Sequence, residues 1–247
     1  MWDDARQMNA VAITLALITL LGVAVAGVVW AVRQPAFELR EVSVSEPLQR
    51  ANAAHLEAVI RDDLYGTFFT IDLDRARAVL RQVPWVRDVS LRRQWPHRLV
   101  LTVDEHEPLA RWNDSALVST RGEVFAARAD GDLPLFEGPE GTATELLARY
   151  RAWDSDLKPL GLSIREIRMT PRGGWRLKTA GSAGSLTMEL GRDEPGERLA
   201  RFVAAHARTL GALARAGTRV DTVDLRYRNG FAARIPAFRE KGARPAA

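Results

Sequence analysis

Between Arg6 and Arg33 the chain carries no charged residue, and MNAVAITLALITLLGVAVAGVVWAV, Met8 to Val32, is apolar almost throughout. As a helix, Val11 to Val32 reaches roughly 33 Å, enough to cross a bilayer core. Ala24-Val25-Ala26 has the small-residue pattern of a cleaved signal peptide. Three features argue for retention: Asp3 and Asp4 stand beside a single Arg6, the apolar stretch before the site is long, and Gly27 to Val32 continues apolar to full spanning length. The residues predict a short tail at 1–9 and one transmembrane helix at 10–32. Arg6 and the terminal amine face Arg33 and Arg40 across the span, with Asp3 and Asp4 confusing the count, so charge alone leaves the orientation open.

After the span the periodicity changes. FELREVSVSE, Phe37 to Glu46, alternates Phe37, Leu39, Val42 and Val44 with polar neighbours and predicts a strand. Leu56, Val59, Ile60 and Leu64 then recur at helical spacing, and Asp72 is a candidate N-cap for a second helix with Leu73, Ala76, Leu80 and Val83 on one stripe, closed by Pro84. A period of two follows, through Val89 and Leu91, a Trp95-Pro96-His97-Arg98 turn, and Leu99, Leu101 and Val103. The order is strand, helix, helix, strand, strand.

The last strand runs into Asp104-Glu105-His106-Glu107, which looks at first like a metal or acid-base cluster. A strand sends successive side chains to opposite faces, so the four do not converge. The chain holds only four histidines and no cysteine, which excludes a disulfide framework, a thiolate nucleophile and a sulfur-based zinc site. No metal and no cofactor are expected. The 35 basic residues interleave with 31 acidic ones for a net charge of +4, so there is no electrostatic stripe for nucleic acid.

Further on, Thr142 and Glu145 form a candidate capping box for a helix with Leu146, Tyr150, Trp153 and Leu157 on one stripe. Trp175-Leu177-Thr179 and Leu186-Met188-Leu190 predict two strands joined by the turn AGSAGS, and Asp193 to Gly217 predicts one long helix with His206 packed on its buried stripe. Val223, Leu225 and Tyr227 predict a strand, Asn229-Gly230 a turn, and Phe231 to Ile235 a last strand. Residues 237–247 read as a disordered tail. There is no G-x-S-x-G, phosphate loop or dinucleotide fingerprint, so no enzyme is indicated. A membrane-tethered module can instead work by contact, an exposed strand edge accepting a partner strand.

PWVRDVSLRRQWPHRLVLTVDEHEPLARWND, Pro84 to Asp114, resembles the hairpin of the FtsQ family of bacterial cell-division proteins. LPLFEGPEG (Leu133 to Gly141), RLARFV (Arg198 to Val203) and VDLRYRNG (Val223 to Gly230) continue the match in family order, over nearly everything after Phe37. The resemblance implies an α+β chain: a cytoplasmic tail, a single N-terminal transmembrane helix, a βααββ POTRA domain at 37–105 and a larger β-rich domain with helices at 106–236. It also implies a non-enzymatic scaffold in the bacterial inner membrane at the division septum, with both domains periplasmic. Its partners would be FtsB, FtsL and other division proteins, including the septal peptidoglycan synthase. The alternative is a POTRA-type chaperone or transport subunit for outer-membrane proteins, although such proteins usually carry several POTRA repeats before a membrane barrel. A cell-wall hydrolase using Glu105 and Glu107 is a third reading.

By the same resemblance, Leu91, Arg93 and Glu105 match a POTRA surface linked to recruitment, against a plain reading in which Leu91 is core and Glu105 pairs with Arg93 or Arg111. Arg172, on a strand beside VDLRYRNGF, and Arg226, Tyr227, Asn229, Gly230 and Phe231 match the surface that meets FtsB. There the arginines would engage partner carboxylates, Tyr227 would be an aromatic anchor, and the backbone near Gly230 would pair with a partner strand. The plain reading buries Tyr227 with Leu225 and Val223 and leaves both arginines solvated. The chain departs from the family in its terminal FAARIPAF, where members often carry a tryptophan near Ile235, and in its acidic first residues.

Overall fold

The computed structural model describes residues 5–38, 41–63, 67–182, 184–216 and 218–236. Helix α1 (Ala5–Val32) is the apolar run, and from Met8 to Ala31 every side chain is exposed. Leu17, Leu20 and Leu21 each leave 60% or more of their surface uncovered. The hydroxyls of Thr14 and Thr19 donate to the carbonyls of Ala10 and Leu15, at 2.8 and 2.9 Å, so both hydroxyls are satisfied within the helix. A helix that is apolar on all sides and packed against nothing needs an apolar solvent. It fits a single-pass membrane protein.

Contacts divide the chain into two compact units between His106 and Glu107. In the first, β1 (Glu41–Val44), α2 (Ala53–Asp63), α3 (Leu73–Leu80), β2 (Val86–Gln94) and β3 (Arg98–Glu105) follow in the expected order. Asn52 caps α2 by accepting the N–H groups of Ala54 and His55, and Asp72 caps α3 by accepting those of Asp74 and Arg75. The sheet order is β1-β3-β2, with β1 parallel to β3 and β2 antiparallel to it. Leu56, Ala76 and Leu80 from the helices pack on Val89, Leu91, Leu99 and Leu101 from the sheet. The alternation overstates the first strand at both ends, because Phe37 closes a 3-10 turn (Pro35–Phe37) and β1 stops at Val44; Val42 and Val44, on this edge strand, are 36% and 40% exposed. Leu39 and Leu64 fall outside the described residues.

The described residues of the second unit form a nine-stranded mixed sheet. Its strands are β4 (Pro108–Trp112), β5 (Ala116–Ser119), β6 (Val124–Phe125), β7 (Leu135–Glu137), β8 (Ser163–Met169), β9 (Trp175–Gly181), β10 (Gly184–Gly191), β11 (Thr222–Asp224) and β12 (Ala232–Arg234). The sheet order is β12-β11-β10-β9-β8-β7-β4-β5-β6. Helices α4 (Ala143–Leu157) and α5 (Pro195–His206) cover it, with Leu146, Trp153, Leu157, Leu199 and Phe202 packed on Phe136, Ile167, Leu177, Met188 and Leu190. Trp153 meets Trp175 edge to face at 5.2 Å.

Three local expectations need correction. The Thr142 hydroxyl donates to the Pro139 carbonyl at 2.7 Å and caps nothing, so the capping box does not form. The long helix is two, α5 and α6 (Leu210–Arg215). Between them Thr209 takes a non-helical backbone (φ −114°, ψ −94°), its hydroxyl donating to the Ala205 carbonyl at 2.9 Å. At Gly211 just beyond, an added Cβ would stand 3.1 Å from the His206 carbonyl. Finally, β11 stops at Asp224 rather than running to Tyr227. The expected tail at 237–247 lies outside the described residues.

Candidate surface at the end of the sheet

Val223 and Leu225 are buried, and the Leu225 N–H donates to the Glu189 carbonyl of β10 at 2.8 Å. The strand ends because the Asp224 side chain takes over the local hydrogen bonding. Its Oδ1 accepts the Arg226 backbone N–H at 3.0 Å, and its two oxygens accept Arg226 Nε and Nη2 at 2.9 and 2.7 Å. This is a bidentate, charge-assisted pair. The Arg226 guanidinium and then its backbone N–H hold the Asp224 carboxyl below the usual aspartate range, against partial burial that pushes it up. Arg226 is therefore partnered within the chain, while its side chain stays 63% exposed. Its stem lies over Gly191, where an added Cβ would meet Arg226 Cγ at 3.1 Å.

Turning the chain at Asp224 throws Tyr227 outward. Its exposure is 57%, and Arg228, Asn229 and Gly230 beside it are exposed as well, so the reading that buries Tyr227 with Val223 and Leu225 does not hold. Phe231 is half-buried, its ring against Phe202 at 5.7 Å, which pins the start of β12 to the core. The strand itself, Ala232–Arg234, is exposed along its length and is the last in the sheet order. Its outer backbone edge pairs with no other described strand.

Arg172 sits in the turn between β8 and β9 rather than on a strand. The registers place that turn beside the chain's exit from β11. Gly191 pairs with Trp175 at the start of β9, and β11 runs parallel to β10, so Arg172, Arg192 and Arg226 all lie at one end of the sheet. An added Cβ at Gly173 would touch Arg192 Cγ at 3.3 Å, which ties the turn to the end of β10. Sequence reasoning named Arg172 and Arg226 but missed Arg192 and the Asp224 clamp. The clamp had a signal, an Asp two residues before an Arg.

In the first unit, the three recruitment residues separate. Leu91 is 6% exposed, on the helix-covered face opposite Leu101, and belongs to the core; this corrects its assignment to a contact surface. Arg93 is exposed and donates from Nη2 to the Ile71 carbonyl at 2.8 Å. Glu105 pairs with neither Arg93 nor Arg111. Its carboxylate instead accepts the backbone N–H groups of Gln49, Arg50 and Ala51 at 3.0, 3.1 and 2.6 Å, holding the segment that leads into α2. The neighbouring acidic residues go to separate partners, Asp104 to Arg87 and Glu107 to the Thr120 hydroxyl. Among the described residues no group of three or more metal-binding side chains comes together.

The family model "Cell division protein FtsQ/DivIB, C-terminal" matches residues 110–226, and the model "POTRA domain, FtsQ-type" matches residues 37–106. Cell division protein FtsQ of Burkholderia pseudomallei is 39% identical over 246 residues, covering 97% of this chain and 96% of that protein. The proteins of the same name from Nitrosospira multiformis and Neisseria gonorrhoeae are 36% and 32% identical, each aligned over 95% of this chain and over 99% and 95% of their own lengths.

Proposed function

This chain belongs to the FtsQ family of cell division proteins, and from that premise we propose that it is a non-enzymatic scaffold whose terminal sheet edge binds FtsB and FtsL. In this reading the tail before the span is cytoplasmic, both folded units are periplasmic at the septum, and the scaffold links early division proteins to control of the septal peptidoglycan synthase. The observation that carries the reading is the exposed β12 edge with Tyr227 standing beside it. A partner strand can add to β12 through its backbone, Tyr227 can lie against the partner's side chains, and the arginine-bearing sheet end suits a segment rich in carboxylates.

Within that scheme Arg172 is the arginine available for a partner carboxylate, while Arg226 shapes the surface through Asp224. Asn229 and Gly230 present backbone at the approach to β12, and Phe231 fixes the strand's position. On the POTRA unit, Arg93 is the proposed recruitment contact, with Leu91 supporting its strand from the core and Glu105 holding the neighbouring loop. Titrating the full chain in nanodiscs with the periplasmic segment of FtsB tests the main claim. Tyr227→Ala and Arg172→Glu should each weaken binding, and unchanged affinity in both removes this edge from the interface.

A further inference from the structure

The segment that follows α2 is tied to the end of the transmembrane helix. Thr67 Oγ1 donates to the Val32 carbonyl at 2.9 Å, capping an orphan carbonyl in the last turn of α1. Phe68 N–H donates to the Phe37 carbonyl at 2.7 Å, and Glu38 forms an isolated bridge with Thr67. Phe69 stacks edge to face on both Phe37 and Phe68, with centroids 5.2 Å apart in each case, yet it leaves 48% of its surface exposed. Among the described residues, Phe69 is gathered with two other phenylalanines yet stays about half uncovered at the end of a membrane span.

Length sets where this cluster lies. The apolar span Met8–Val32 has 25 residues, about 37 Å as a helix. That exceeds a hydrocarbon core of about 30 Å and falls short of the about 40–45 Å that includes the headgroup layers, so the span ends within those layers. A side chain hydrogen-bonded to Val32 lies at the same depth. Trp30 in the last turn, 69% exposed, and Arg33 just past it are the aromatic and basic flanks common at such a boundary.

The β2–β3 hairpin tip comes to the same end of the sheet. β1 starts shortly after the span and pairs in parallel with β3, Glu41 standing opposite Arg98, so the Trp95–His97 turn that precedes Arg98 is beside the start of β1. Arg93, near that tip, donates to the Ile71 carbonyl four residues after Thr67. Trp95 at the tip is 73% exposed. Two loops distant in sequence thus present bare aromatic rings at the end of the unit where the chain leaves the bilayer.

We propose that Phe69 and Trp95 form a membrane-surface foot, inserting into the headgroup layer of the leaflet in which the span ends and seating the POTRA unit on the lipid. Aromatic and apolar side chains gain from that layer, which hides the ring while leaving polar neighbours wet. The three-phenylalanine cluster holds Phe69 in place for this, and the Thr67 bond to Val32 holds the cluster at the right depth.

The absence of cysteine from the chain makes the test direct. Full-length Phe69→Cys, Trp95→Cys and Ser90→Cys proteins, each with one nitroxide label, are placed in nanodiscs of phosphatidylethanolamine and phosphatidylglycerol. Power-saturation spectroscopy then compares collision with oxygen and with a water-soluble nickel chelate. All three positions are exposed, so labelling leaves the core intact. The labels at positions 69 and 95 should meet nickel several-fold less often than the label at position 90, on the open face of the sheet, and should favour oxygen. Nickel accessibility at position 69 or 95 equal to that at position 90 overturns the proposal.

Discussion

The Glu105 carboxylate accepts the Ala51 N–H at 2.6 Å across 54 positions of sequence, and the same two oxygens accept the N–H groups of Gln49 and Arg50. This ties the end of β3 to the loop that starts α2. Glu105→Lys removes a charged acceptor from three amides, one of them on a buried residue, and should lower stability by about 2–4 kcal/mol. Denaturant unfolding, with amide exchange read at Ala51, checks this. A variant that unfolds like the unsubstituted chain but fails to reach the septum would return Glu105 to a surface role.

Leu91 and Arg93 should separate in the same assay. Leu91→Ala opens a cavity in the core and should cost about 2–5 kcal/mol. Arg93→Ala loses one partly buried hydrogen bond and should cost less than Leu91→Ala, about 1–2 kcal/mol, so a loss of septal recruitment in a variant that stays folded reports contact rather than folding. Equal stability losses in the two would place Arg93 among the structural residues.

Tyr227→Ala should weaken binding of the FtsB segment by about 2 kcal/mol, near thirtyfold. Because the ring is 57% exposed, the melting transition should stay within about 0.5 kcal/mol of the unsubstituted chain. Calorimetric titration and thermal unfolding together decide it. A large fall in stability would show that the ring packs inward.

The Asp224 clamp predicts a pH dependence with a definite sign. The folded-state pKa of Asp224 is lowered, so the stability it contributes is present above the unfolded value and is lost as pH falls through the folded one. Arg226→Ala should raise the Asp224 pKa toward the ordinary aspartate value and remove that part of the acid sensitivity. Carboxyl chemical shifts followed through an acid titration measure it. An Asp224 that titrates identically in both proteins would dissolve the pair.

Replacing Leu17 and Leu20 by Arg should block membrane insertion, because each charge at a helix centre costs about 2.5–3.5 kcal/mol on the insertion scale. Carbonate extraction of cell membranes reads the result. Mass spectrometry of the unsubstituted protein should find the residues of the span retained, and a mature N-terminus at Gly27 would mean that the segment is cleaved.

Features set by local chemistry were legible in the chain itself. The apolar run, the Asp72 cap, the change from helical to twofold period and the order βααββ each depend on residues close in sequence, where spacing and side-chain type act directly on the backbone. So were the strands on either side of AGSAGS. The fate of individual polar residues was not. Glu105 found three amides 54 to 56 positions away, Leu91 went to the core because β3 pairs in the register that puts it opposite Leu101, and Tyr227 left the buried parity of Val223 and Leu225 because Asp224 captured Arg226. Alternation along a strand names two faces, but only the packed helices and the neighbouring strands decide which face is covered and where the strand stops. A side chain's role as core, clamp or contact depends on that coverage, and coverage is a property of the assembled sheet.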